Sequence, residues 1–179
     1  MMMKRQLGIL AIILALLFGL INHLPARQPE QISGNAPSIS AAQWLNSKPL
    51  DLAELKNKVV MVEFWTYGCY NCKNVEPYLK SWYSRYREQG LVIVAVHSPE
   101  FAHERVINNV RRYVSEHDIQ YPVAIDNDFA VWKRYNNHYW PAMYLIDKQG
   151  RLRYRHIGEG AYRQTEKMIQ TLLAENNSR

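Results

Sequence analysis

Only two cysteines, Cys69 and Cys72, occur among the 179 residues. That scarcity excludes a small scaffold stapled by several disulfides, and the core must come from apolar burial. Histidine is equally sparse in pattern: His103, His117, His138 and His156 show no metal-ligand spacing with one another. No internal repeat or low-complexity tract appears, which excludes a repeat array. Strong charge of one sign is missing too. Residues 40–179 hold 19 basic and 15 acidic side chains, so the formal net charge of +6 over the whole chain is no sign of a nucleic-acid partner.

What the sequence does contain is organised around the cysteine pair. Val59–Trp65 is apolar on both alternating faces and suits a central strand covered on both sides. After Cys72 the period changes: Val75, Leu79, Trp82 and Tyr86 recur at helical spacing, and Glu76 stands four residues before Lys80. The pair therefore falls where a strand hands over to a helix of about four turns. Only a thiolate attacks a disulfide, and the free N–H groups and positive end of a helix stabilise negative charge. Cys69 is expected to be the exposed attacker with a lowered pKa, and Cys72 the inner, resolving thiol. Cys69 would form a mixed disulfide with a client, which Cys72 then displaces.

The N-terminus has a different character. Lys4 and Arg5 precede an uncharged run over residues 7–21, extending to Leu24, the pattern of a basic region followed by an apolar one. Residues 1–24 are expected to be a membrane anchor, with the basic end cytoplasmic and the remainder outside the cytoplasmic membrane, in a periplasm where there is one. If the segment is cleaved as a signal, the product is secreted instead. Residues 25–39, with Pro25, Pro29, Gly34 and Pro37, read as a linker. Residues 40–179 are long enough for one domain with its own core.

Within that domain, residues 41–45 and 49–55 suggest a short strand and a helical segment. Residues 91–96 read as a second buried strand, parallel to the first. A helix is expected over 104–117 with Val106, Val110 and Val114 on one side, then a short strand over 121–125. A further helix over 127–135 would pack Phe129 and Trp132 inward. Residues 142–146 and 152–157 flank Asp147-Lys148-Gln149-Gly150 as a hairpin. Residues 161–174 would close the domain with Met168, Ile169, Leu172 and Leu173 facing in. Arg151, Arg153 and Arg155 alternate, as on a solvated edge strand.

The strand ending Glu63-Phe64-Trp65, the Cys69-to-Cys72 spacing, Lys73, Pro77 five residues beyond Cys72, and Tyr139-Trp140-Pro141 together resemble the thioredoxin-like fold. The resemblance is closest to the membrane-tethered TlpA-like group and to the thioredoxin-like domain of DipZ-type cytochrome c biogenesis proteins. It covers most of residues 40–179 and implies a three-layer α/β sandwich, a central mixed sheet with helices on both faces, carrying an insertion at about residues 99–127. It implies a cis Trp140–Pro141 bond facing the dithiol, where the backbone of Trp140 pairs with an extended client segment. It also implies that Glu63 lies beneath Cys72. A carboxyl in an apolar sheet has a raised pKa and can take the Cys72 proton; the alternative is a strand-end acid paired with Lys56 or Lys58. Trp65 and Tyr67 are candidates for the rim around Cys69, Tyr70 and Asn71 tune the potential, and Pro77 is a structural kink. His97, beside the site, is taken as a satisfied strand-end residue.

The function so implied is an extracytoplasmic thiol:disulfide oxidoreductase acting on client protein disulfides or thiols. As a reductase it would be recharged by a membrane electron donor of the CcdA/DsbD type, and no cofactor beyond the Cys69/Cys72 pair is called for. Two alternatives stay open: a copper chaperone on the same fold, using both thiolates and a histidine, and a binding module with an inert disulfide.

Overall fold

The computed structural model describes residues 34–176. The expected anchor at residues 7–24 and most of the linker lie outside the described residues. Among those described, no helix is long and apolar enough to cross a membrane.

Six strands form one mixed sheet in the order β1-β4-β3-β2-β5-β6: β1 Gln43–Leu45, β2 Val59–Trp65, β3 Leu91–His97, β4 Val123–Ile125, β5 Ala142–Ile146 and β6 Leu152–Ile157. β2, β3 and β4 run parallel, while β1, β5 and β6 join antiparallel. Four helices accompany them: α1 Tyr70–Tyr86, α2 Ile107–Glu116, α3 Ala130–Arg134 and α4 Tyr162–Ala174. Every residue of β2 is buried because both of its faces are covered. Val59, Met61 and Trp65 join the layer shared with α1, α2 and α4, while Val60, Val62 and Phe64 join the opposite layer with α3. Phe64 anchors that second layer, ringed edge-on by Trp132, Tyr135 and Tyr144 at 5.4–5.7 Å.

Local chemistry sets the ends of the elements. α1 passes into a 3₁₀ turn, Arg87–Gln89, and stops at Gly90, whose φ of 105° only glycine adopts at little cost. The hairpin between β5 and β6 turns on Asp147, whose carboxylate accepts from the backbone of Gln149 and Arg151 at 3.0 and 2.9 Å.

Several expectations need correction. Residues 49–55 form turns and no helix. The helix expected over 104–117 is two pieces: a 3₁₀ turn, Ala102–Arg105, then an extended Val106 that is exposed, then α2. Asparagines and arginines on the outer face of α2 leave Val110 and Val114 to carry its packing. In α3 the fully buried residue is Val131, with Tyr135 just after it; Trp132 packs against the core as expected, but Phe129 caps the helix with φ 60° and is only half-buried. Packing also begins earlier than composition suggests: Ile39 is fully buried and Ala36 donates its N–H to Gly150 O. The arginine stripe on β6 is at the sheet edge, yet Arg151 and Arg153 both pair with the buried Asp147.

Candidate active site

β2 and β3 end on the same side of the sheet, and their registered pairing puts Trp65 beside His97. The chain leaving β2 there reaches Cys69, which caps α1: its sulfur accepts the Cys72 N–H at 3.1 Å. The two sulfurs are bonded, at 2.20 Å with Cα atoms 5.3 Å apart. Cys69 is partly buried and Cys72 is 4 % exposed, the asymmetry required of an attacking and a resolving thiol. No acidic residue lies in the first turn of α1, so the helix end favours a thiolate unopposed from within that turn.

The loop before β5 arrives at the same end. Phe64 pairs with Ala142, and Pro141 lies one residue beyond, level with the point where the Cys69 loop departs. The Trp140–Pro141 bond is cis. Trp140 is held from two sides: its indole N–H donates to Ser98 O at 3.0 Å, and its ring lies 4.4 Å from that of Trp132. Ser98 in turn donates its N–H to Trp65 O at 3.0 Å. The loops after β2 and β3 and before β5 are thereby fastened into one surface.

Glu63 shares the β2 face of Met61 and Trp65, the face that α1 covers. It is 2 % exposed, and burial, with the nearby charge of Glu76 second, pushes its carboxyl well above the ordinary range. Neither Lys56 nor Lys58 pairs with it among the described residues. Glu76 itself is tied down by Lys80 at 2.7 Å, by Tyr113 OH at 2.9 Å and by His117 Nδ1 at 3.1 Å. Trp65 is buried against His97 and Tyr113. Tyr67 is half-buried, stacked between the same two rings, with its hydroxyl donating to His103 O. The exposed aromatic side chains on this side are Tyr70, Phe101 and Tyr139.

One part of the site escaped sequence reasoning. Glu104, fully buried in the 3₁₀ turn, accepts from the Gly68 N–H at 3.0 Å, the Glu100 N–H at 2.6 Å and the Phe101 N–H at 2.9 Å. Burial alone would raise its pKa, but these donors and the Thr66 hydroxyl bring it below the ordinary value. Thr66 Oγ1 also meets His97 Nε2 at 3.2 Å. His97 Nδ1 has no partner among the described residues, so this histidine is only half satisfied. Burial lowers its pKa to about 4 and keeps it neutral. The sequence signal for Glu104 was its place three residues after Phe101, where a side chain can reach back to an uncapped N–H.

Among the described residues no group of three or more His, Cys, Asp or Glu side chains could hold a metal ion. The bonded cysteine pair at the head of α1 suits thiol exchange. Comparison with known proteins agrees. The AhpC/TSA family matches over residues 32–155. The chain is 44 % identical over 144 residues to Protein DipZ of Mycobacterium bovis, covering 78 % of this chain but only 21 % of that longer protein. It is 30 % identical over 177 residues to the thiol-disulfide oxidoreductase ResA of Bacillus cereus, covering 96 % of this chain and 99 % of ResA. The crystal structure of the thioredoxin-like superfamily protein SPOA0173 superposes with a TM-score of 0.74 at 26 % identity, over 79 % of this chain and 97 % of that one. A helix-capping cysteine pair beside a cis-proline loop, on a sheet of this order, thus places the chain in the AhpC/TSA family, as a thioredoxin-like domain of the thiol-disulfide oxidoreductases.

Proposed function

We propose that this protein is an extracytoplasmic, membrane-tethered thiol:disulfide oxidoreductase that reduces client disulfides, with those of apocytochrome c as the expected client class. The observation that carries the reading is the Cys69–Cys72 pair at the N-terminus of α1, with the Trp140–Pro141 loop at the same sheet end. Cys69 attacks the client disulfide and Cys72 releases the client as the intramolecular bond closes. Glu63 accepts the Cys72 proton, and the exposed edge of residue 140 offers backbone pairing to an extended client segment. The basic and apolar residues before position 25 support the tether, and the name and full-length overlap of ResA support the exchange chemistry. Outside the cytoplasm the pair needs a source of electrons, so a membrane donor of the CcdA/DsbD type is the proposed partner.

Trapping tests this directly. Cys72→Ser in the full chain should accumulate mixed disulfides through Cys69 in the membrane fraction, and these should contain proteins with haem-attachment cysteines. Recovery of the variant only in the cytosol, or without any trapped partner, refutes the proposal.

A further inference from the structure

The insertion at residues 99–127 meets the loop before Cys69 at several points, and one of them is a fully buried charged side chain, Glu104. Glu104 Oε1 lies 3.0 Å from the Gly68 N–H, one residue before Cys69, while Oε2 accepts from Glu100 and Phe101 at 2.6 and 2.9 Å. We propose that Glu104 is a positioning residue of the dithiol: it clamps the loop that presents Cys69 onto the insertion, and its fixed charge restrains ionisation of the attacking thiol. This rests on the oxidoreductase reading, because it concerns how the pair is tuned.

The charge matters because little else nearby offsets it. His97, on β3, is neutral, and Glu63, on β2, holds its proton beyond the ordinary carboxyl range. Glu76, on α1, is matched by Lys80 and hydrogen-bonded by Tyr113 and His117 of the insertion. Lys73, after the pair, is exposed. Glu104 is a buried carboxylate served by N–H and O–H dipoles with no ion pair among the described residues; Asp126, after β4, is held likewise by Val131, Trp132 and Ser98, but there burial wins and raises its pKa. A like charge near an ionising thiol disfavours the thiolate, and low dielectric strengthens the effect. The helix end draws Cys69 towards ionisation while Glu104 holds it back. The balance makes the reduced pair less stable, and the pair a stronger reductant, than the helix alone would.

The contact is also tight. A Cβ at Gly68 would stand 2.3 Å from Glu104 Oε1, so only glycine there lets the carboxylate reach the backbone. Two variants of the full chain separate charge from position. Glu104→Gln removes the charge and keeps the shape; Gly68→Ala keeps the charge and pushes it off the loop.

The readouts are the pH dependence of Cys69 alkylation by iodoacetamide and the equilibrium of the pair with glutathione. In Glu104→Gln the Cys69 pKa should fall by roughly one unit. The potential should rise by up to ~30 mV, the two-electron equivalent of a tenfold gain in the reduced form. Gly68→Ala should move both in the same direction by less. A Cys69 pKa that is unchanged or higher in folded Glu104→Gln overturns the proposal, and Gly68→Ala decides in the same way if the first variant does not fold. A lowered melting temperature with the thiol pKa fixed marks a purely structural role and also counts against it. Failure of the oxidoreductase reading shows separately, as a wild-type pair that does not exchange with glutathione at all.

Discussion

Replacing Glu63 by Gln should change the slope of stability against pH more than its level. Glu63 has an ordinary value of 4.5 in the unfolded chain, and burial in the β2 face raises it when the domain folds. Between those two values the native state binds more protons than the unfolded state. The stability that Glu63 permits is therefore complete below pH 4.5 and is lost as pH rises to the folded value. Each unit of displacement costs about 1.4 kcal/mol. A buried Gln amide costs ~1–3 kcal/mol of its own, but at every pH alike. The assay is urea unfolding of the oxidised protein from pH 4 to pH 8, taken as wild type minus variant. That difference should fall by ~1.4 kcal/mol per unit just above the ordinary carboxyl range and then level off. Parallel curves would mean that Glu63 ionises in the fold as it does in water, and the account of it as a desolvated base fails. Stopped-flow resolution of a Cys69 mixed disulfide gives the second arm: loss of the base should slow Cys72 by roughly 10²–10⁴-fold.

Two other groups give sharp outcomes. His97 falls from 6.5 to about 4 on folding, so its contribution is present above pH 6.5 and is lost as pH drops through 4, a change of roughly 3 kcal/mol. Its ring should titrate by NMR near 4; a midpoint near 6.5 refutes the burial argument. Asp147 has no exposed side-chain surface and pairs with Arg151 and Arg153 at 2.8 and 2.9 Å. Asp147→Ala should cost about 3 kcal/mol in urea unfolding, near the low end for a broken buried pair because both arginines reach solvent. A loss below about 1 kcal/mol would show that the hairpin turn holds without it.

Legibility from sequence followed burial. β2, β3 and α1 were readable because their apolar periods are long and unbroken, and the cysteine pair was readable because it sits where those periods change. The insertion was not. Val106, Val110 and Val114 fit a helical stripe, but Val106 adopts an extended backbone that lets Glu104 turn inward, a tertiary demand that outweighs spacing. Phe129 was misjudged for a related reason: it lies ahead of α3 at positive φ, so Val131 and Tyr135, with Trp132, carry the inward face. The burial of Glu63 was legible from its place on an apolar strand, whereas Glu104 lay among polar residues that composition assigns to solvent. Its burial depends on the Gly68 N–H, 36 residues earlier in the chain.

The pH linkages of Glu63 and His97 run in opposite directions. Between pH 4.5 and 6.5 the cost of Glu63 grows with pH while that of His97 shrinks. The two slopes offset each other over that interval, so a flat wild-type stability curve there is the sum of two steep ones. For this reason the test of Glu63 is a difference between proteins and not the shape of one curve. The same offset bears on function. Elsewhere the β2 interior is apolar, and Glu63 and His97, the two groups whose charged forms burial disfavours here, lie at the end of the sheet that carries Cys69, whereas the buried Asp147 at the other end is paired with two arginines. Groups that destabilise a fold and cluster on one side of it are better explained by the chemistry there than by packing. A dithiol that must lose and regain protons at two sulfurs supplies that chemistry.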